Sequence, residues 1–480
     1  MSGPEVARVV EVTGGSHGLA AAYAVVRALA DDYDRAGDRM RGWADVGRRT
    51  LLDGDLLDSA VLAPVTFAEA EAAVLGAATG PDGALVASLH WEADAVAVRA
   101  TVTALEAADD LSRAALEVVD HALGRALGTL LPAALPVVLP LLPSLPLLAP
   151  ALAPALGPQL DRLLADAVAE HPDAVQHLAN GGGGLLDGLL SAGVLRGPWR
   201  LPRDTEAAAA VLAAAYGDPG RGRALPLGPP RPVRQPGGLA DVLRDLDGVH
   251  RTGGDGVVEV RTATAPDGSV RHVVHLPGTD DLGTLPWTQD GDVRDLATNL
   301  LLVAGLDNPY QQGVLDAMHR AGIGPDDPVL LVGHSQGGMV AAAVLAGAGP
   351  FHVTDVVTAG SPTAHLDGFP PGSHVLSLEH RGDLVPLLDG EDNRDIPEQT
   401  TVRFDGSPPG PGAGVAAAHD VRHHVAAAVA LEGAVRDGTA HPSVVDALHR
   451  LEERGYVGGP AGPGGTVVTS QAFQVVRDRP

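Results

Sequence analysis

The sequence predicts an α/β chain, with a mostly parallel sheet covered by helices in the C-terminal half and an all-α helical domain before it. Three observations predict it. Pro328 to Gly338 reads Pro-Val-Leu-Leu-Val-Gly-His-Ser-Gln-Gly-Gly and runs into the small-residue stretch Met339 to Ala346, the order strand, tight turn, helix. From Val257 onward, apolar and largely β-branched runs alternate with helical patterns, as in βαβ units. Between His17 and Leu127 the apolar residues recur at helical spacing instead.

The helical part is residues 1–128. Leu19, Tyr23, Val26, Leu29 and Tyr33 mark a first helix, Phe67 to Ala78 a second, and a Gly-Pro-Asp-Gly turn at Gly80 to Gly83 leads into a long third, Ala84 to Leu127. That is a helical hairpin or bundle. Ala126 to Leu160 carries no charge, and 35 such residues could span a bilayer. Yet Pro132, Pro136, Pro140, Pro143, Pro146, Pro150, Pro154 and Pro158 would each remove an intrahelical hydrogen bond. Residues 129–160 are therefore expected to be an apolar arm folded over the protein, or a lid-like segment giving peripheral membrane contact through 126–160. Residues 161–216 return to helical character around a break at Gly181 to Gly184. Gly217 to Gly238, with six Pro and six Gly, reads as a linker.

Residues 239–438 read as the catalytic domain and 439–480 as a C-terminal extension. Val257 to Thr264 and Val270 to Leu276 flank the hairpin turn Ala265-Pro266-Asp267-Gly268-Ser269. A helix near Gln311 to Ala321, the strand–turn–helix at Pro328, and strands Val353 to Ala359 and His374 to Glu379 follow.

Composition bounds the chemistry. A chain of 480 residues, 45% hydrophobic, has room for two or three domains. Without cysteine there are no disulfides, thiolate metal sites or cysteine nucleophiles. All 33 cations are Arg, Ile occurs only at Ile323 and Ile396, and the net charge of −27 argues against a nucleic-acid partner. Met1 to Gly14 has no basic region followed by an apolar core, so no secretory signal is expected and the cytoplasm is the default location. Nothing in the pattern calls for a cofactor.

A serine on a strained strand-to-helix turn is lifted clear of a sheet, and Ser335 sits on such a turn. Gly333 and Gly337 flank it because a Cβ at either position would strike the neighbouring strand or helix. Gln336 opens the helix, where its N–H can stabilise a developing oxyanion. The pentapeptide alone is weak: 61 Gly and 15 Ser give roughly 0.2 chance matches. Gly14-Gly15-Ser16-His17-Gly18 also fits, but only 15 residues precede Ser16, too few for the strands such a site needs, and Ser16 is expected to cap a helix. Asp383, one strand and one turn past the elbow unit, is the expected acid, with Glu379 a weaker choice. The base is expected in His419-Asp420-Val421-Arg422-His423-His424: His419 at a loop–helix junction, with His423 and His424 as alternatives. A metal site there lacks a carboxylate at helical ligand spacing, so none is expected. The second oxyanion donor should be Gly278 or Thr279, after the strand Val270 to Leu276.

Val-Val-His-Leu-Pro-Gly-Thr (273 to 279), Val-Gly-His-Ser-Gln-Gly-Gly (332 to 338), Ala-Gly-Ser-Pro (359 to 362), Asp-Leu-Val-Pro (383 to 386) and a late His together resemble the lipase class 3 group of α/β-hydrolases, including its actinobacterial branch. The likeness covers about residues 239–438. It implies an α/β-hydrolase fold, Ser335, Asp383 and His419 as a triad, the N–H groups of Thr279 and Gln336 as oxyanion hole, and hydrolysis of acyl lipids or similar carboxylic esters. An acyltransferase or thioesterase on the same triad, or a secretion-associated interaction protein on a hydrolase-like scaffold, are the alternatives. The N-terminal helices resemble those of type VII secretion substrates, though no Trp here stands in Trp-x-Gly and no Tyr has an acid four residues on.

Overall fold

The computed structural model describes residues 7–138, 172–181, 183–185, 187, 205–347, 349–406, 415–458 and 465–478. Most of the proline-rich arm, from 139 to 160, and much of the expected helical extension lie outside the described residues. The chain forms two compact units: Ala20–Ala115, and a larger one of Met1–Leu19 with Leu116–Pro480.

The smaller unit is built from the helices Leu19–Thr50, Gly54–Leu62, Pro64–Thr79 and the first part of Ala84–Val138. Asp53 caps the second by accepting from the N–H groups of Asp55 and Leu56. Of the apolar residues that mark the first helix, Leu19, Val26 and Leu29 are exposed, whereas Ala30, Gly37 and Ala44, one every seven residues, are buried. Small residues at that repeat let two helix backbones approach closely. A Cβ on Gly37 would come within 3.3 Å of the Ser88 carbonyl. Arg99 pairs with Asp31 and Asp34, at 2.6 Å each, and the Tyr33 and Trp91 rings lie 5.1 Å apart beside this seam.

Among the described residues the larger unit holds a ten-stranded mixed sheet: β1 (Arg8–Gly14), β2 (Arg221–Pro226), β3 (Arg231–Val233), β4 (Val257–Thr264), β5 (Val270–Leu276), β6 (Val329–His334), β7 (Val353–Ala359), β8 (His374–His380), β9 (Gln399–Asp405) and β10 (Val467–Asp478). Its order is β1-β9-β8-β7-β6-β5-β4-β10-β2, with β3 also on β10. Strands β5 to β9 run parallel, and the flanking pairs are antiparallel. Alternation along β6 sends Val329 and Leu331 to one apolar face and Leu330 and Val332 to the other. Helices Pro309–Arg320 and Gln336–Ala346 cover the first face; Leu239–Thr252, Val421–Arg436 and Pro442–Glu453 cover the second. Buried on both sides, β6 is apolar from Val329 to Val332, and each fully buried Val or Leu contributes about 1.5–3 kcal/mol.

Four expectations change. Residues 8–14, assigned to the helical part, form an edge strand paired with β9. The expected linker 217–238 contains β2 and β3, whose Pro226 and Pro232 are tolerated because an edge strand needs one row of hydrogen bonds only. The expected extension 439–480 supplies a helix to the core and β10, which lies between β4 and β2. Ser16 lies in a 3-10 turn, Gly15–His17, ahead of the helix Leu19–Thr50, and its hydroxyl donates to Asp446 Oδ2 at 2.5 Å.

Burial also sets an acid limit on stability. Desolvation holds the imidazoles of His272, His334 and His424 below their ordinary range and those of His365, His374 and His380 down to about 4; His275 falls to about 3. An imidazole whose folded pKa is depressed takes up its proton first in the unfolded chain, so its stabilisation is complete above about pH 6.5 and is lost as pH falls toward 4. Burial raises the carboxyls of Asp245, Asp292, Glu379 and Asp389, which act oppositely but are fewer. Thermal melts from pH 7.5 to 4 should therefore show the midpoint falling below pH 6.5; a flat or rising midpoint would contradict this account.

Candidate active site

The carboxyl ends of β5, β6, β7 and β8 lie along one edge of the sheet, and the loops leaving them converge there. Ser335 follows β6 with φ +53°, the one non-glycine residue with positive φ among the described residues. Strain of this kind, at about 1–3 kcal/mol, persists only where the surroundings enforce it. Here they do: Ser335 N–H is bonded to Ala359 O at 3.0 Å, and the helix begins at Gln336. A Cβ on Gly333 would lie 2.3 Å from the backbone of Gly337 and Gly338, and one on Gly337 would lie 1.9 Å from Leu276 O. The Ser335 carbonyl accepts from the N–H groups of Gly338 and Met339, at 3.0 and 3.2 Å. In a trans peptide the next N–H points the opposite way, so that of Gln336 is directed out of the helix end.

After β8, the turn His380–Asp383 carries Asp383 into the interior, 2% exposed. Its Oδ1 accepts from Val385 N–H at 2.9 Å, and its Oδ2 lies 2.7 Å from His419 Nδ1. Accepting there fixes the proton on Nδ1 and leaves Nε2 as an acceptor. Nε2 of His419 is buried and without a hydrogen-bond partner. Gly360, with φ +61°, passes beneath this pair, and a Cβ on it would meet Asp383 Oδ2 at 2.7 Å. The other two histidines of the cluster point elsewhere. His423 donates from Nε2 to Ala417 O at 3.0 Å and stacks on His380, 4.8 Å between rings. His424 is fully buried and edge-on to Phe404. Glu379 is on β8, paired with Arg403 and Asn393.

His334, beside the serine, donates from Nε2 to the carbonyl of His419 at 2.8 Å, with the two rings 4.4 Å apart. It therefore ties the loop bearing His419 to the elbow. The β5 loop approaches from the other side, where a Cβ on Gly278 would lie 2.8 Å from Ser335 Cβ. Thr279 Oγ1 accepts from Asn299 Nδ2 at 3.0 Å. His334, Gly360 and Asn299 are additions to the residues singled out by sequence. Gly360 was signalled by Gly-Ser-Pro at a strand end, but His334 and Asn299 act through contacts that carry no local pattern.

Ser335, His419, Asp383 and Thr279 share the wall of a cavity of about 1040 Å³. Away from them the lining is chiefly apolar, including Leu185, Leu212, Leu296, Leu300, Val303 and Met339. A large apolar pocket with few convergent polar groups is the usual form of a small-molecule site. Among the described residues, no group of three or more His, Asp and Glu side chains is arranged to hold a metal ion.

The sheet, the helices that cover it and this edge have the form of an α/β-hydrolase fold. A family model described as an alpha/beta hydrolase matches residues 310–370, from the helix Pro309–Arg320 through the elbow to the loop after β7. No curated protein and no solved structure matches the chain.

Proposed function

We propose that this chain is a serine carboxylic-ester hydrolase of the lipase and esterase type, close in mechanism to the lipase class 3 group, acting on esters with an apolar acyl chain. The observation that carries the reading is the His419–Asp383 contact of 2.7 Å, with the second ring nitrogen of His419 free in the wall it shares with Ser335. Ser335 Oγ attacks the ester carbonyl while His419 Nε2 takes its proton, and Asp383 orients and stabilises the imidazolium. The oxyanion rests on the N–H groups of Gln336 and Thr279. His419 then protonates the departing alcohol, and water, deprotonated by His419 in turn, cleaves the acyl-enzyme to release the acid and restore Ser335.

The cavity, chiefly apolar although Asp247, Arg251, Asp420 and Arg422 also line it, supports an uncharged hydrocarbon acyl group. A panel of p-nitrophenyl esters from acetate to palmitate tests it. Each further methylene buried is worth about 0.8 kcal/mol, so kcat/KM should rise about fourfold per CH2 until the cavity is filled. Activity confined to acetate would overturn the substrate assignment, and no hydrolysis of any ester would overturn the function. Product analysis with added alcohols separates hydrolysis from acyl transfer.

A further inference from the structure

The loop that follows β5 is held from behind by two buried side chains. Tyr310, fully buried, donates its hydroxyl to Pro277 O at 3.1 Å. Arg294, 1% exposed, donates from Nη1 to Gly278 O at 3.2 Å and from Nη2 to Gly254 O at 2.9 Å, and it is ion-paired with Asp280. Its own carbonyl accepts the Asp280 N–H at 2.8 Å. A guanidinium is rarely buried so completely unless its position matters to its neighbours, because desolvation is costly even when it is paired.

The peptide unit between Gly278 and Thr279 gives that position a meaning. In a trans peptide the carbonyl and the following N–H point in opposite directions. With Gly278 O drawn back onto Arg294, the Thr279 N–H is turned away from Arg294, and Thr279 lines the same cavity as Ser335. That N–H has no acceptor among the described residues.

We propose that Arg294 is a positioning residue for the oxyanion hole: by gripping Gly278 O it sets the Thr279 N–H toward the charge that develops on the substrate. This rests on the ester-hydrolase reading above. Arg294 does not line the cavity that holds Ser335. Its contribution is selective for the tetrahedral state, since an oxyanion donor acts on charge that the bound ester does not yet carry.

Arg294→Met and Arg294→Lys in the full chain test it, with thermal unfolding measured first. Three activities are read: kcat and KM on p-nitrophenyl butyrate, the rate of Ser335 labelling by a fluorophosphonate, and inhibition by phenylboronic acid, whose serine adduct is tetrahedral. For Arg294→Met, kcat and labelling should fall on the order of 10- to 100-fold, and boronate binding should weaken in parallel, with KM within about twofold. Arg294→Lys, which keeps a cation for Asp280 and a donor, should fall between the two. If Arg294→Met does not fold, Arg294→Lys carries the same test. A folded variant with kcat and boronate affinity within twofold of wild type would overturn the assignment and leave the hydrolase reading standing. A loss of KM and kcat together, with boronate affinity unchanged, would also overturn it. Wild type inert to every ester and to the fluorophosphonate would overturn the hydrolase reading itself.

Discussion

Replacing Ser335 by Ala should abolish ester turnover and fluorophosphonate labelling, lowering kcat by about 10⁴- to 10⁶-fold. The substitution is a clean one. Ala carries the same Cβ as Ser, so the left-handed backbone at φ +53° and the contact with Gly278 are unchanged, and only the hydroxyl is lost. Thermal unfolding should therefore match wild type to within a few degrees. Ser16→Ala serves as the control, because Ser16 stands in the other Gly-x-Ser-x-Gly sequence and its hydroxyl bonds only Asp446 among the described residues. It should label and turn over normally. Labelling that persists in Ser335→Ala, or disappears in Ser16→Ala, would refute the choice of nucleophile.

Asp383→Asn should lower kcat on the order of 10⁴-fold with KM little changed. Asn can keep the bond from Val385 N–H through its carbonyl oxygen, so the turn after β8 has no reason to move. Facing His419 Nδ1, however, would be an amide N–H where the native carboxylate accepts. The imidazole is then held in the opposite tautomer, with its proton on Nε2. It cannot take a proton from Ser335 in that form. Steady-state kinetics with a melting curve check the prediction, and a loss smaller than tenfold in a folded variant would remove Asp383 from the proposed triad.

The centre of this fold was readable because its evidence is local. β4, β5 and β7 are Val-rich runs, and they fall where the pattern puts them. The flanks were not readable, since a strand such as Arg221–Pro226 looks like a linker until its partner, more than two hundred residues later, is known. In the smaller unit the Ala-rich composition hid the packing face: bulky residues drew the eye, but Ala30, Gly37 and Ala44 lie inside. The same division holds for the site. Gly333, Ser335 and Gly337 announce themselves through backbone geometry in one short stretch. His419 stood out from His423 and His424 only by its place at a loop–helix junction, and the contact with Asp383 separates them in space. Arg294 and His334 grip main-chain carbonyls of distant loops, and such contacts leave no mark on the spacing of side chains.

The late strand β10 has a consequence for biosynthesis. It pairs along β4 from Val257 to Thr264, yet about 200 residues separate the two in the chain. At about 5–20 residues per second, a ribosome needs about 10–40 s to make that interval. Throughout it, β4 presents an unsatisfied outer row of amides and carbonyls, and such an edge recruits other strands indiscriminately. The nascent protein is thus most vulnerable to misassembly in this window, and slowing translation between the two strands should increase the insoluble fraction.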